Sequence, residues 1–428
     1  MARLLFSILG SLVAFLAVLY QLYLSPLLQV IGVFRTVENF GLDPAACRGL
    51  PEFQACEKIV LHQPTGILYL ACSTPESRLA WTPAMGQLNA QNRSADDYIA
   101  TFDPATSKIT RLELQNYHSD QPISVHGMDV VPSSTNRNEL FVYLVNHRAP
   151  PHEQDAETVG ADSVVEIFKT TVSGNQLVHI KTVRDSNIIL SPNDVAGDAN
   201  GKGFYFTNDH SFKISHVRTL RNVFSSTSVG YCHLDHGCKI VASGLYTNNG
   251  IVKAPELNAS VYVASNMGGK ISVFERQAVD DSLILMDVIH IGQALDNLSL
   301  DNNGHLWAAA FPKAQDMVEH LTKNPLHLSP VAAFKISVNT GPGSFYGEKY
   351  AVEKSYYVAI SYTFCLSLSN THTHTHCSIE LTTSDLNPQI FENDGTTVSG
   401  STSVVHDSER GMLFMHGVAS HQLVVCRV

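Results

Sequence analysis

The sequence predicts an all-β protein built as a propeller, and three observations carry that expectation. Short apolar or alternating runs separated by polar turns recur along the chain. The runs come in pairs, one of small then apolar residues and one ending in Val-Phe, Ile-Phe or Thr-Phe-Asp. At 428 residues, the chain is also too long for a typical single sandwich. The net charge of -11 argues against a nucleic-acid partner and fits a soluble, metal-binding protein.

Taken in order, the chain opens on Arg3 and then an uncharged apolar stretch, residues 4–24, about as long as a bilayer-spanning helix. A cleaved signal peptide and a buried helix are alternatives. No small-x-small cleavage site follows the run, so residues 1–25 are expected to form a signal anchor. The domain at 40–428 then lies in the secretory pathway, in the endoplasmic reticulum lumen or on the extracellular side, attached to a membrane by the helix. The eight cysteines include no Cys-x-x-Cys pair, which argues against a zinc knuckle. A bridge between Cys47 and Cys426 would tie the two ends of a closed ring, and Cys232 and Cys238 are close enough to pair across a loop. Cys72, in the apolar run LYLACS, reads as a buried free thiol. Asn92 and Asn258 head Asn-x-Ser sequences and are candidate glycosylation acceptors.

The strand runs are residues 66–71, 98–102, 140–145, 163–168, 260–264, 270–274, 305–310 and 412–415. Residues 191–212, SPNDVAGDANGKGFYFTNDHSF, place a strand between two turns rich in Asn and Asp. Such residues form turns and also offer the hard oxygens that calcium prefers. Residues 215–225 carry apolar side chains at helical spacing and read as a helix at the mouth of the ring or packed on its blades. Residues 355–388 look foreign. Their Thr-His alternation at 371–376 is what an alternating adenine-cytosine tract encodes, so the segment reads as a translated intron or a lineage-specific insert interrupting the domain. A His-rich metal tract is the rival reading.

Four loops share an acid or amide signature just before an apolar strand: Glu57, Asn193-Asp194, Asn248-Asn249-Gly250 and Asp296-Asn297. In a propeller each would point into the central channel from an inner strand. Glu57, Asn193, Asn249, Asp296 and Asn297 would give five side-chain oxygens toward the six to eight or so that calcium takes. Together with His126-Gly127, Val145-Asn146-His147, Thr207-Asn208-Asp209-His210 and Gly400-Ser401-Thr402, these motifs resemble the paraoxonase/arylesterase family over about Cys47 to Cys426. The resemblance implies a six-bladed propeller and calcium-dependent hydrolysis of small-molecule lactones and aryl esters. It also implies a retained apolar N-terminus and a Cys47–Cys426 disulfide. It assigns the catalytic calcium to Glu57, Asn193, Asn249, Asp296 and Asn297, and a water-activating dyad to His126 and His147. A calcium-bound carboxylate, Glu57 or Asp296, is the alternative base or nucleophile within that site.

The chain departs from the family at Lys58, where an acidic residue helps hold a second, structural calcium. Asp194 remains a possible ligand of that ion, but a lysine beside a dication is unfavourable and its ammonium can pair with Asp194 instead, so the second ion is expected to be weak or absent. Phe311 also changes the pocket wall and leaves substrate choice open. The rival readings are a gluconolactonase-like or strictosidine synthase-like hydrolase and a non-catalytic calcium-binding propeller that holds a lipid or protein partner at the membrane. A serine hydrolase is disfavoured because there is no Gly-x-Ser-x-Gly elbow.

Overall fold

Six antiparallel sheets stand around a central channel in the computed structural model, which describes residues 2–151, 154–214, 226–254, 260–338, 349–352 and 390–428. Blade 1 is Lys58–His62, Ile67–Cys72, Tyr98–Asp103 and Lys108–Arg111. Blade 2 is Val125–Pro132, Glu139–Arg148, Asp162–Thr171 and Gln176–Val183, with Glu113–Gln115 added in parallel at its edge. Blade 3 is Pro192–Gly197, Gly203–Asn208, Thr227–His233 and Gly237–Leu245, and blade 4 is Asn248–Lys253, Ser260–Ser265, Lys270–Arg276 and Leu283–His290. Blade 5 is Ala294–Leu300, Leu306–Phe311 and Val331–Val338, the last paired with both Tyr350–Val352 and Phe391–Asn393. Blade 6 is Ser403–Asp407, Met412–His416, Leu423–Arg427 and, from the other end of the chain, Cys47–Leu50. The first strand of each blade touches the first strands of its two neighbours, so these six strands line the channel.

Side-chain alternation builds this ring. Successive residues of a strand face opposite sides of its sheet. Phe204 and Phe206 therefore pack toward blade 2, while Tyr205 between them packs toward blade 4. Ala308 and Ala310 face blade 4, and Trp307 and Ala309 face blade 6. Each blade is buried on both faces, which is why its second strand reads as an unbroken apolar run. Val405, Phe414 and Leu423 of blade 6 pack on Ile59, Leu68 and Phe102 of blade 1, which completes the circle.

Closure is also covalent. Cys47 pairs in register with Cys426, and a disulfide joins them across a sequence separation of 379 residues. Chain-entropy reasoning puts the constraint of so long a loop at about 6 kcal/mol. Cys232 and Cys238 are bonded as expected. Cys72 is not a free thiol. It bonds to Cys56, because pairing of Lys58 with Ala71 brings the residues just outside that ladder together.

The N-terminal helix runs further than residue 25. Ala2–Leu19 is α-helical, Tyr20–Leu24 makes a wider π turn, and Ser25–Ile31 returns to α before Gly32 ends it in a left-handed conformation. The stretch Phe6–Ile31 is long and apolar enough to cross a membrane, with a mean hydropathy of 1.9. Its last turn is not free: Val30 packs with Ala294 and Phe311 of blade 5 and with Met317. A second helix that sequence periodicity missed, Ala314–Thr322, buries Ala314, Met317 and Leu321 in the same cluster. Residues 215–225, Asn258 and residues 355–388 lie outside the described residues.

Candidate active site

The acid and amide pairs lie inside the channel-lining strands, not in loops before them. Blade 3 shifts register between Pro192 and Val195, blade 4 between Asn248 and Ile251, and blade 5 between Leu295 and Leu298. Each shift is a β-bulge at the pair that sequence reading singled out: Asn193-Asp194, Asn249-Gly250 and Asp296-Asn297. A regular strand would send one member of each pair to either face, whereas a bulge re-aims a side chain. Blade 2 has a similar irregularity, where His126 and Gly127 lie opposite Val145.

Two glycines let these bulges approach one another. A Cβ on Gly127 would lie 2.3 Å from the Asn193 carbonyl oxygen and 2.5 Å from the Asp194 Cα. A Cβ on Gly250 would lie 2.7 Å from the Asn297 Cα. Any side chain at either position would push neighbouring blades apart. Thr207 joins two of the bulges, because its hydroxyl accepts from the Asp194 N–H at 3.2 Å and donates to the Asn249 carbonyl at 2.6 Å.

The oxygens at this locus fall into two groups. In the first, the Lys58 ammonium is buried and donates to Asp194 Oδ2 at 2.5 Å, to Asn297 Oδ1 at 3.1 Å and toward the Leu298 carbonyl at 3.5 Å. Asp194 Oδ2 also accepts from the Ile251 N–H at 3.0 Å. One cation thus ties the inner strands of blades 1, 3 and 5, with blade 4 joined through the carboxylate. This is the pairing that the charge of Lys58 led us to expect. In the second group, Asn193 Oδ1, Asp194 Oδ1, Asn249 Oδ1 and Asp296 Oδ1 are buried and have no hydrogen-bond partner.

Unpaired buried oxygens are costly and call for an explanation. Asp296 sits among other acids. Burial, and then the Glu57 carboxylate, push its pKa well above the usual carboxylate range. Burial also raises Glu57, whose Oε1 accepts from Asn297 Nδ2 at 2.9 Å and whose Oε2 accepts from the Thr402 hydroxyl at 2.6 Å. Orphaned hard oxygens beside two crowded carboxylates fit a divalent cation with oxygen ligands. The fit falls on Glu57, Asn193, Asn249 and Asp296, with Asp194 Oδ1 beside them. Asn297 contributes differently, because its oxygen is engaged by Lys58 and its amide nitrogen by Glu57. Among the described residues no three His, Cys, Asp or Glu side chains form a metal-binding group, so this donor set leans on amide oxygens.

His126 and His147 stand beside the acids, their rings 5.0 Å apart at 55°. His126 Nε2 is 4.0 Å from Glu57 Oε1, and neither His126 nitrogen has a partner. His147 Nδ1 is 2.8 Å from the Ser163 hydroxyl, while its Nε2 is unpaired. Burial lowers both pKa values. That of His126 falls well below the usual imidazole range, with the neighbouring His147 adding to the effect, and that of His147 falls to about 4. Both rings are therefore neutral at neutral pH, the state that accepts a proton. Asp209 and His210 pair with each other at 2.6 Å, and Asn208 holds the Leu190 and Ser191 amides. One cavity of about 210 Å³ lies elsewhere, lined by His320, Leu328, Thr397, Met415 and His421, and it shares none of these side chains.

Sequence reading overlooked Arg78, Trp81 and Ser163, which fix the backbones and one ring of this locus. They carry no motif, and only the fold brings them in. Asn92, read as a glycosylation acceptor, is exposed on a short turn.

The chain is 32% identical to serum paraoxonase/arylesterase 2 of Rattus norvegicus over 210 residues, covering 47% of this chain and 54% of that protein. The Homo sapiens protein of the same name is 30% identical over 196 residues, covering 44% and 50%. Serum paraoxonase/lactonase 3 of Oryctolagus cuniculus is 27% identical over 232 residues, covering 53% and 60%. The chain thus spans only about half the length of the curated relatives it matches. Among solved structures, a luciferin-regenerating enzyme is similar at 12% identity and a TM-score of 0.43, over 89% of this chain and 95% of that one. A likeness this distant bears on neither site nor activity. The family model described as Arylesterase matches residues 66–361, and the chain belongs to that family.

Proposed function

We propose that this protein hydrolyses lactones and aryl esters and that it requires calcium. The observation that carries this reading is the set of unpaired, buried oxygens on Asn193, Asp194, Asn249 and Asp296, on blades 3, 4 and 5, in the channel that a pair of neutral histidines on blade 2 also lines. Calcium bound by the Asn193, Asn249 and Asp296 oxygens with Glu57 would supply Lewis acidity, polarising a substrate carbonyl and stabilising the oxyanion that develops on it. His126 takes the proton from the attacking water, since both its nitrogens are free and its neutral form prevails. His147, fixed by Ser163 and with its ring packed against that of His126, orients His126. Lys58 fills the place beside Asp194 that a second cation would need, so the catalytic calcium is expected to be the single bound ion. The apolar N-terminal helix supports a placement of the domain in the secretory pathway, and endoglycosidase-sensitive modification of Asn92 would report lumenal exposure.

The deep burial of His126 and His147, 3% and 2% exposed, favours one other reading, a calcium-binding propeller without turnover. Phenyl acetate and a panel of lactones, assayed with calcium or with chelator, separate the two. Chelator-sensitive turnover supports the hydrolase, and calcium binding without turnover supports the binding protein.

A further inference from the structure

Between the second and third strands of blade 1 the chain leaves the sheet and makes a short helix, Pro75–Ala80, capped by the Thr74 hydroxyl. Its Arg78 is 2% exposed. Nη1 donates to the Val125 carbonyl at 2.7 Å and Nη2 to the Ala55 carbonyl at 3.4 Å. Val125 immediately precedes His126, and Ala55 lies two residues before Glu57. The other side of the Val125 peptide is held as well, because its N–H donates to Asp97 Oδ2 at 3.1 Å, and Asp97 is fixed in turn by the Ser73 hydroxyl at 2.5 Å. Three residues after Arg78, the Trp81 indole donates to the carbonyl of His147 itself at 2.9 Å.

Ala55 needs such restraint. It is fully buried with φ of 49°, in the left-handed region that a residue with a Cβ rarely adopts. Its N–H donates to the Ser420 carbonyl, and its carbonyl accepts from Ser73 as well as Arg78. A buried guanidinium whose Nε lacks a partner is a poor way to gain stability, since an apolar side chain would fill the space at lower cost. All three carbonyls that Arg78 and Trp81 hold belong to residues at, or within two positions of, Glu57, His126 and His147.

We propose that Arg78, supported by Asp97 and Trp81, is a positioning residue that sets the places of His126, His147 and Glu57 from a single excursion of blade 1. The proposal rests on the hydrolase reading for its effect on turnover but not for its effect on geometry. The test uses the full chain carrying R78K, R78M or W81F, with ¹³C-labelled histidine rings and steady-state kinetics. Lysine keeps the charge but cannot bridge two carbonyls as the planar fork does. The R78K variant should lower kcat by about tenfold to a hundredfold, with KM and melting temperature near wild type. R78M should fall further, W81F less. The ring resonances of His126 and His147 should move in R78K while those of His290, at the end of the outer strand of blade 4, stay in place. Unmoved His126 and His147 resonances in a folded R78K overturn the proposal, as does a kcat loss that only tracks the unfolded fraction. If the wild-type protein shows no turnover, the resonances still decide the positioning role, and the missing activity counts against the hydrolase reading alone.

Discussion

Two sets of oxygens share one channel and have opposite fates. Around Lys58, a buried ammonium answers Asp194 Oδ2 and Asn297 Oδ1. Around Asp296, Asn193 Oδ1, Asn249 Oδ1 and Asp296 Oδ1 have no hydrogen-bond partner in the protein. The same strands supply both sets, so the difference lies in the cation. Lys58 is tethered to the chain and serves the fold, whereas the calcium we propose beside Asp296 would come from solvent and could serve chemistry. A tethered cation cannot be chelated away, whereas an exchangeable one can also meet a substrate.

The strongest way to break the comparison is Asp296→Ala. It should lower kcat/KM by about a thousandfold or more while leaving the melting temperature of the chelated protein near wild type, by kinetics and calorimetry. Lys58→Met should do the reverse. It leaves the Asp194 carboxylate buried and unpaired, and denaturant titration should show about 3–5 kcal/mol of lost stability. Asp194→Asn in the same chain should recover part of that loss. His126→Gln should lower kcat by about a hundredfold with calcium affinity unchanged. Ser163→Ala, which only frees the His147 ring, should cost a few-fold.

Acid should weaken the fold through its neutral histidines. Burial lowers the pKa of His147 to about 4 and that of His416 to about 3, the latter with Nδ1 accepting from the Gly417 N–H at 2.7 Å. The unfolded chain, with imidazoles near 6.5, takes up protons first. Stability is therefore complete above about 6.5 and falls as pH drops through that value, until these groups also protonate in the folded state. Glu57 and Asp296, with raised pKa values, act in the opposite sense in the calcium-free protein. The difference between wild type and His416→Gln isolates the histidine contribution in urea titrations at several pH values.

The blades were legible in the sequence because burial on both faces leaves continuous apolar runs, and each run lies on a strand. The Asn/Asp pairs were legible as residues but not as geometry. A bulge is a two-against-one relation between strands, and Asn193-Asp194 gives no sign of it until Val195 is paired with Phe206. Cys72 looked like a core thiol because Leu68, Leu70 and Ala71 around it are core, and only the ladder from Lys58 to Ala71 reveals Cys56 as its partner. Lys58 was readable because it stands where the family that the chain resembles has an acidic residue, and its charge then points to Asp194. Arg78 was not, because its partners are backbone carbonyls that no sequence pattern marks.

The measurement that tests the account most directly is turnover of phenyl acetate and a lactone panel by the full chain, wild type and Asp296→Ala, titrated with calcium after chelation. The account predicts activity that returns on saturation of a single calcium site in the wild type and does not return in Asp296→Ala. Turnover that survives chelation, or that Asp296→Ala retains, would contradict it.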